Sequence, residues 1–383
     1  MGVLNLSPES FYRDSVVNDP GKIHDAVRGM EKDGADFIDV GAASTAPKNV
    51  YGTKDLNKAE ELKRIRDMLG LVVDCTRLPI SIDTRSASVA EEALDMGASL
   101  VNDTSGLRED SRMAKLVADR AVPVVLMANC GEPCASAEAS LESLVASVKN
   151  AMHAGVNPDQ IILDPGIGFG KPTETDCAIL RNLRIYSLLG RPLLVGVSRK
   201  AFIGELLGLP DPAERLTGTV AATSIAVLNG ADIIRAHDVR EARMATSIGE
   251  ALRTPISWET DNIELLGLCN EREAELLIQQ VGASAEITRQ LASKALTLNI
   301  LLRDVQTAAA LILKQEMLAV GGDAAYHHDV IDHKTDRTDV LLLGSPLQLN
   351  KLMKRIMSMR DFGLADIGSR IRDTMSKRAL NPR

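Results

Sequence analysis

Short apolar runs alternate with longer amphipathic stretches through the first two thirds of the chain, and each apolar run closes on a polar residue. Short runs bounded by turn residues read as buried strands, whereas stretches with apolar positions three and four apart read as helices. The first unit is a strand over 2–6, closing on Asn5-Leu6-Ser7-Pro8-Glu9-Ser10-Phe11, and a helix over 22–33. A strand over 36–40, which contains Asp39, runs into Gly41-Ala42-Ala43-Ser44-Thr45-Ala46-Pro47 and a charged helix over 55–69. Strands over 78–83, 100–103, 122–127 and 161–164 follow, each with a helix behind it, over 88–96, 110–119, 136–154 and 173–183. The seventh strand, 192–197, enters Ser198-Arg199-Lys200 and helical residues to 229; the eighth, 232–236, meets His237-Asp238 before a last helix to 253.

Eight strand-helix units in roughly 250 residues fit an α/β fold of the (β/α)8 TIM barrel type. A doubly wound open sheet also alternates strands and helices. The polar residues favour the barrel, because its strands all deliver their carboxyl ends to one mouth. At those ends stand Asn5, Asp39, Thr45, Asp83, Asn102, Met127 to Asn129, Asp164, Ser198 to Lys200, Arg235 and His237. One such residue is ordinary loop chemistry or a helix cap. A set drawn from every unit would be costly to bury without a ligand.

The segment Ile162-Leu-Asp-Pro-Gly-Ile-Gly-Phe-Gly-Lys171 concentrates these features: an acid at a strand end, three alternate glycines, then a cation. Gly166, Gly168 and Gly170 do not have the dinucleotide spacing G-x-G-x-x-G, and Pro172 stands where a P-loop needs a hydroxyl. Asp83, Asn102 and Asp164, with Lys200, suit a flat heterocycle rich in N–H donors and ring acceptors. Asn5, Thr45, Arg235 and His237 are compatible with a phosphate or diphosphate. Lys171 reads as a structural or loop-closing cation.

Taken together, Met1-Gly-Val-Leu-Asn-Leu-Ser-Pro-Glu-Ser-Phe11, Ser81-Ile-Asp-Thr84, Val101-Asn-Asp-Thr-Ser-Gly106, Asp164-Pro-Gly-Ile-Gly-Phe-Gly-Lys171, Gly196-Val-Ser-Arg-Lys-Ala-Phe-Ile-Gly204 and Ile234-Arg-Ala-His-Asp-Val239 resemble dihydropteroate synthase. The motifs occur in that family's order across residues 1 to about 253. The resemblance implies condensation of 6-hydroxymethyl-7,8-dihydropterin diphosphate with 4-aminobenzoate, giving 7,8-dihydropteroate and diphosphate in folate synthesis. It implies that Asp83, Asn102, Asp164 and Lys200 hold the pterin with Met127 packed nearby, and that Asp39 belongs to the substrate-binding set. Asn5, Arg235 and His237 would bind diphosphate, Asn5 also through Mg2+. Thr45, Pro47, Phe169, Ser198 and Arg199 would line the aminobenzoate side.

The chain departs from the family pattern after the second strand, where Ser44-Thr45-Ala46-Pro47 replaces Ser-Thr-Arg-Pro and Gly41-Ala42-Ala43 replaces Gly-Gly-Glu. Glu9 stands where Asp is more usual, and Met127-Ala128-Asn129 replaces a His-Met pair. The pterin half is untouched. A ribosylated arylamine, as in methanopterin synthesis, and altered sulfonamide sensitivity are therefore open. So are a pterin-dependent corrinoid methyltransferase and a non-catalytic pterin-binding protein, although Ser198-Arg199-Lys200 and Arg235-Ala236-His237 favour a diphosphate-releasing synthase.

Composition narrows the setting. A net charge of -8 over 383 residues argues against nucleic acid as a partner. No apolar run approaches the about 20 residues of a membrane span, and no signal-peptide order opens the chain, so a cytoplasmic enzyme is expected. Cys75, Cys130, Cys134, Cys177 and Cys269 read as thiols of a reducing compartment; Cys130 and Cys134 form at most half a metal site. Residues 255–383 read as a small α+β domain: strands over 296–302 and 340–343, helices over 308–320, 347–357 and 362–375. Its stretch from Lys314 to Ala325 resembles an ancillary segment of some bacterial members of the same family. A cap or a dimerisation surface is the expected role, with a homodimer as the expected assembly. His327, His328, Asp329 and His333 read as solvated loop residues, a metal cluster being the other reading.

Overall fold

The structure is a computed structural model. It describes residues 1–7, 16–17, 19–43, 57–131, 133–187, 189–253, 257–260, 263–266, 271–281, 283–332 and 334–380. The chain forms two compact units, Met1–Thr254 and Pro255–Arg383.

In the first unit, β1 (Gly2–Asn5), β2 (Ile38–Gly41), β3 (Ile80–Asp83), β4 (Leu100–Asp103), β5 (Val124–Met127) and β6 (Ile161–Asp164) pair in sequence order as a parallel sheet. Two short strands, β7 (Leu194–Val195) and β8 (Ile233–Ile234), pair with each other. Parallel bridges from Leu163 to Leu193 and from Gly2 to Ala236 join this pair to both edges of the sheet, closing a (β/α)8 TIM barrel. The seventh and eighth strands are shorter than their apolar runs suggest, their mutual ladder being Leu194 with Ile233 and Val195 with Ile234. Around the strands lie α1 (Pro20–Lys32), α2 (Lys58–Cys75), α3 (Ala87–Asp95), α4 (Met113–Arg120), α5 (Ala137–His153), α6 (Thr173–Arg181), α7 (Ala201–Leu207), α8 (Leu216–Leu228) and α9 (Val239–Leu252).

Several helices start where a local cap allows. Asn57 accepts the Glu60 amide at the head of α2, Ser136 accepts the Ala139 amide at the head of α5, and Asp19 caps α1 with Pro20 in its first turn. Ile23, Val27, Ile65, Leu69 and Val72 on α1 and α2 are fully buried. A separate apolar plug fills the barrel's interior, made of Leu100, Val125, Ile162 and Leu194 with Met1 and Ile233 beside them.

The second unit contains a β9 (Ser257–Thr260) and β10 (Ile263–Leu266) hairpin, α10 (Glu271–Gln280), α11 (Ala285–Ala295), β11 (Leu298–Gln306), α12 (Thr307–Ala319), β12 (Asp323–Tyr326), β13 (Arg337–Gly344), α13 (Pro346–Ile356) and α14 (Leu364–Leu380). β13 is the central strand of an antiparallel sheet in the order β11-β13-β12. Leu313, Met317, Val340, Leu342, Leu349, Leu352 and Ile356 are fully buried in its core. The hairpin, α10, α11 and β12 are additions to the sequence reading; β12 is short and lacks an apolar run, so its pairing with β13 defines it.

The cysteine expectation needs correction. Cys130 and Cys134 are joined in a disulfide across the loop that follows β5, and Cys75 and Cys177 are free. Spacing alone did not reveal this pair, because the turn at Gly131, with φ of 83°, brings the two Cα atoms to 5.4 Å.

Candidate active site

The mouth of the barrel is built directly on the apolar plug. Side chains two residues apart on a strand share a face. Two residues beyond Leu100, Val125, Ile162 and Ile233 come Asn102, Met127, Asp164 and Arg235, so on these four strands an interior apolar residue is followed on the same face by a site residue. Register carries the alignment across strands: Asn5 pairs with Gly41, Gly41 with Asp83 and Asp83 with Asn102, while Met127 pairs with Asp164. Gly41 lies between them, and a Cβ on it would make ordinary contact with Asn5 Oδ1 and Asp83 Cβ, 3.8 Å from each.

Arg235 ties β8 to β2 and β3. Its Nε donates to Asp39 Oδ2 at 2.7 Å and its Nη2 to Asp83 Oδ2 at 2.9 Å. Asn102 Nδ2 donates to the same Asp39 oxygen at 3.2 Å. Asp39 is fully buried. It anchors both Arg235 and Asn102 through one oxygen. Burial, reinforced by the neighbouring Asp39 charge and opposed by Arg235, holds Asp83 well above the usual carboxylate range.

The opposite wall is the β6–α6 loop. Asp164 Oδ1 accepts the Gly166 amide at 2.7 Å, and burial raises its pKa against the pull of Lys200. Lys200 Nζ donates to the Ile167 carbonyl and lies 4.4 Å from the centre of the Phe169 ring. Burial lowers the Lys200 pKa to about 8, with Asp164 resisting. Gly168 cannot be replaced freely: with φ at 76°, its Cβ would stand 2.2 Å from Lys200 Cδ. Four carboxylates, Asp39, Asp83, Asp164 and Asp176, are matched by three cations, Lys171, Lys200 and Arg235, in this region. Burial holds Asp83, Asp164 and Asp176 above the usual carboxylate range, and a ligand that develops positive charge would favour their ionised form.

Next to Arg235, His237 Nδ1 is 2.9 Å from Ser198 Oγ, which also accepts the His237 amide at 3.2 Å. The Ser198 hydroxyl hydrogen can then go to Nδ1, which places the imidazole hydrogen on Nε2. Burial and the Arg235 charge push His237 down to about 3, so it is neutral near pH 7 and donates as an uncharged N–H.

Arg199 is engaged within the protein. Its guanidinium makes a two-pronged pair with Asp238, at 2.8 Å on each prong, and donates to the Pro212 and Ala213 carbonyls. It is 4% exposed and adopts φ of 56°. Its side chain braces the segment after β7. Thr45 and Pro47 lie outside the described residues. Asn5 is half-buried at the end of β1, within the mouth.

Asp176 was missed by the sequence reading. It is 2% exposed on α6 and accepts the Gly168 amide at 2.9 Å. Its signal was present: with Ile179 and Leu180, three and four residues on, it belongs to the inward stripe of that helix. Away from the barrel, the ligand-type atoms of His327, His328 and Asp329 lie within 4.8 Å of one another. Both histidines are exposed, and His333 lies outside the described residues.

Comparison with known proteins places this geometry in a family. The family described as pterin binding enzyme matches residues 1–237. The dihydropteroate synthase of Bacillus subtilis (strain 168) is 42% identical over 248 residues, covering 64% of this chain and 85% of that protein. A solved dihydropteroate synthase from Clostridium difficile, in the presence of pteroic acid, has a TM-score of 0.61 at 38% identity, covering 66% of this chain and 96% of that one. A Thermus thermophilus dihydropteroate synthase solved in complex with 6HMPPP has a TM-score of 0.55 at 41% identity, covering 66% and 93%. The chain belongs to the dihydropteroate synthases of the pterin-binding enzyme family.

Proposed function

We propose that this chain condenses 6-hydroxymethyl-7,8-dihydropterin diphosphate with 4-aminobenzoate, forming 7,8-dihydropteroate and diphosphate in folate synthesis. The observation that carries the reading is the mouth's make-up: buried Asp164 with Lys200 on one wall, and on the other Arg235, held by Asp39 and Asp83, beside neutral His237. Asp83, Asn102, Asp164 and Lys200 hold the pterin's ring donors and acceptors over Met127. The bond between the pterin methylene carbon and the diphosphate oxygen breaks, and the amine nitrogen bonds to that carbon and loses a proton. The fixed carboxylates stabilise positive charge on the methylene without reorganising. Arg235 and His237 donate to the departing diphosphate.

Mg2+ belongs to the proposal as well. The Asn5 side-chain oxygen is a hard donor at the mouth, and no cluster of three ligand-type side chains occurs there among the described residues. That donor set fits an ion held mainly by diphosphate and water with one protein oxygen, which would offset charge on the leaving group.

The test supplies pterin diphosphate, Mg2+ and 4-aminobenzoate and follows diphosphate release with and without amine. Amine-dependent release that collapses in Asp83→Asn and Lys200→Ala is expected. Tight pterin binding with no turnover on 4-aminobenzoate or its ribosylated analogue would overturn the synthase reading. Preference for the ribosylated amine is the second reading, motivated by Ala46 where the family has an arginine.

The assembly we infer is a homodimer. Leu206 and Leu207 on α7, Ile225 and Leu228 on α8, and Met244, Ile248 and Leu252 on α9 are all exposed. α7 and α8, with α6, also border a groove of about 380 Å³. Burying this face against a second copy would remove it from water. Light scattering should give twice the chain mass, and Leu207→Glu should give monomers.

A further inference from the structure

The β6–α6 loop is held by two charged side chains that the mechanism above leaves without a task. Gly166, Gly168 and Gly170 have φ of 71°, 76° and 77°. A segment this rich in left-handed glycine has many accessible forms and needs restraint to keep one. Restraint is visible at successive backbone groups. Gly166 N–H goes to Asp164 at 2.7 Å, its carbonyl accepts from Lys171 Nζ, the Ile167 carbonyl accepts from Lys200 Nζ, and Gly168 N–H goes to Asp176 at 2.9 Å.

Lys171 and Asp176 are 9% and 2% exposed. Among the described residues neither closes an ion pair, and each directs its charge at loop backbone. Keeping two such charges buried with backbone groups as their hydrogen-bond partners is expensive, and a neutral residue would fill the space at lower cost. What the two charges achieve locally is a fixed path for the loop. Phe169 is the residue between Gly168, which Asp176 holds, and Gly170; Lys200 meets both the Phe169 ring and the carbonyl two residues earlier.

We propose that Lys171 and Asp176 are positioning residues that hold the 166–170 loop in one form, setting Phe169 against Lys200 and thereby the affinity for the arylamine. The arylamine part rests on the synthase reading above; the loop part does not. Neither residue is a catalytic residue, since each acts through the loop backbone.

The experiment compares wild type, Asp176→Ala, Asp176→Asn and Lys171→Met by steady-state kinetics with each substrate varied, and by hydrogen exchange at the Gly168 amide. Asp176→Ala and Lys171→Met should each raise the arylamine KM about tenfold while the pterin diphosphate KM stays within about twofold. Asp176→Asn keeps an acceptor oxygen and should stay near wild type. Exchange at Gly168 should accelerate in Asp176→Ala and recover in Asp176→Asn. Arylamine KM unchanged in a folded variant, both KM values raised alike, or Gly168 exchange unaltered would overturn the proposal. A wild type that shows no amine-dependent turnover refutes the synthase reading instead, and the exchange result still decides the loop assignment. Lys171→Met nearly conserves volume, so it provides a folded test should Asp176→Ala fail to fold.

Discussion

Replacing Arg235 with methionine removes the group that closes the site's charge network, and the structure gives the scale of the effect. The guanidinium donates to two buried carboxylates, Asp39 at 2.7 Å and Asp83 at 2.9 Å. Asp39 would keep one donor, Asn102 Nδ2 at 3.2 Å. Removing one partner of a buried ion pair costs about 3–5 kcal/mol, because the remaining charge stays buried without compensation. The arginine side chain is 21% exposed, so water can partly replace it, and a loss of about 3 kcal/mol is expected near neutral pH. The loss must also depend on pH. Arg235 pulls the Asp83 pKa down against burial, so without it the folded Asp83 carboxyl holds a proton that the unfolded chain has released, and stability falls as pH rises above the unfolded carboxylate pKa. The deficit against wild type should therefore shrink between about pH 7.5 and about pH 5.5. Urea unfolding of the two proteins at both pH values measures it. A deficit below about 1 kcal/mol near neutral pH, or one that grows on acidification, would refute the network as described.

Gly168→Ala places a methyl 2.2 Å from Lys200 Cδ on a backbone with φ of 76°, so kcat/KM should drop by about a hundredfold or more when assayed with both substrates. Lys200 has its pKa lowered to about 8, which predicts that kcat/KM for the pterin falls as pH rises through that value; Lys200→Arg should remove this limb. Replacing both Cys130 and Cys134 with serine should lower stability by about 2 kcal/mol under oxidising conditions, from the entropy of the short loop they close. The difference should vanish in excess dithiothreitol.

The sequence carried the strand-helix alternation and the polar strand ends because both are local patterns. Apolar runs of strand length, helix caps such as Asn57 and Ser136, and Asn102 or Asp164 two places beyond a plug residue can be read from spacing alone. Asp83, Asn102, Met127, Asp164, Lys200, Arg235 and His237 were legible as mouth residues for that reason. The direction of each side chain within the mouth was not. Asp39 and Arg199 carried the same signal, a polar residue at or beyond a strand, yet Asp39 anchors Arg235 and Arg199 locks onto Asp238.

Thus the chain by itself determined a TIM barrel, the station of each polar group and, through its motifs, the family. Only the tertiary structure decided which groups neutralise one another. Arg235 meets Asp39 and Asp83 across 196 and 152 residues of chain, and no local periodicity encodes a meeting at that range. Likewise Asp176, in the first turn of α6, reaches the Gly168 amide eight residues earlier, and Cys130 meets Cys134 across a left-handed glycine. Burial then fixes the chemistry: desolvation, absent from any sequence, is the largest cause of the raised Asp83 and Asp164, the lowered Lys200 and the neutral His237.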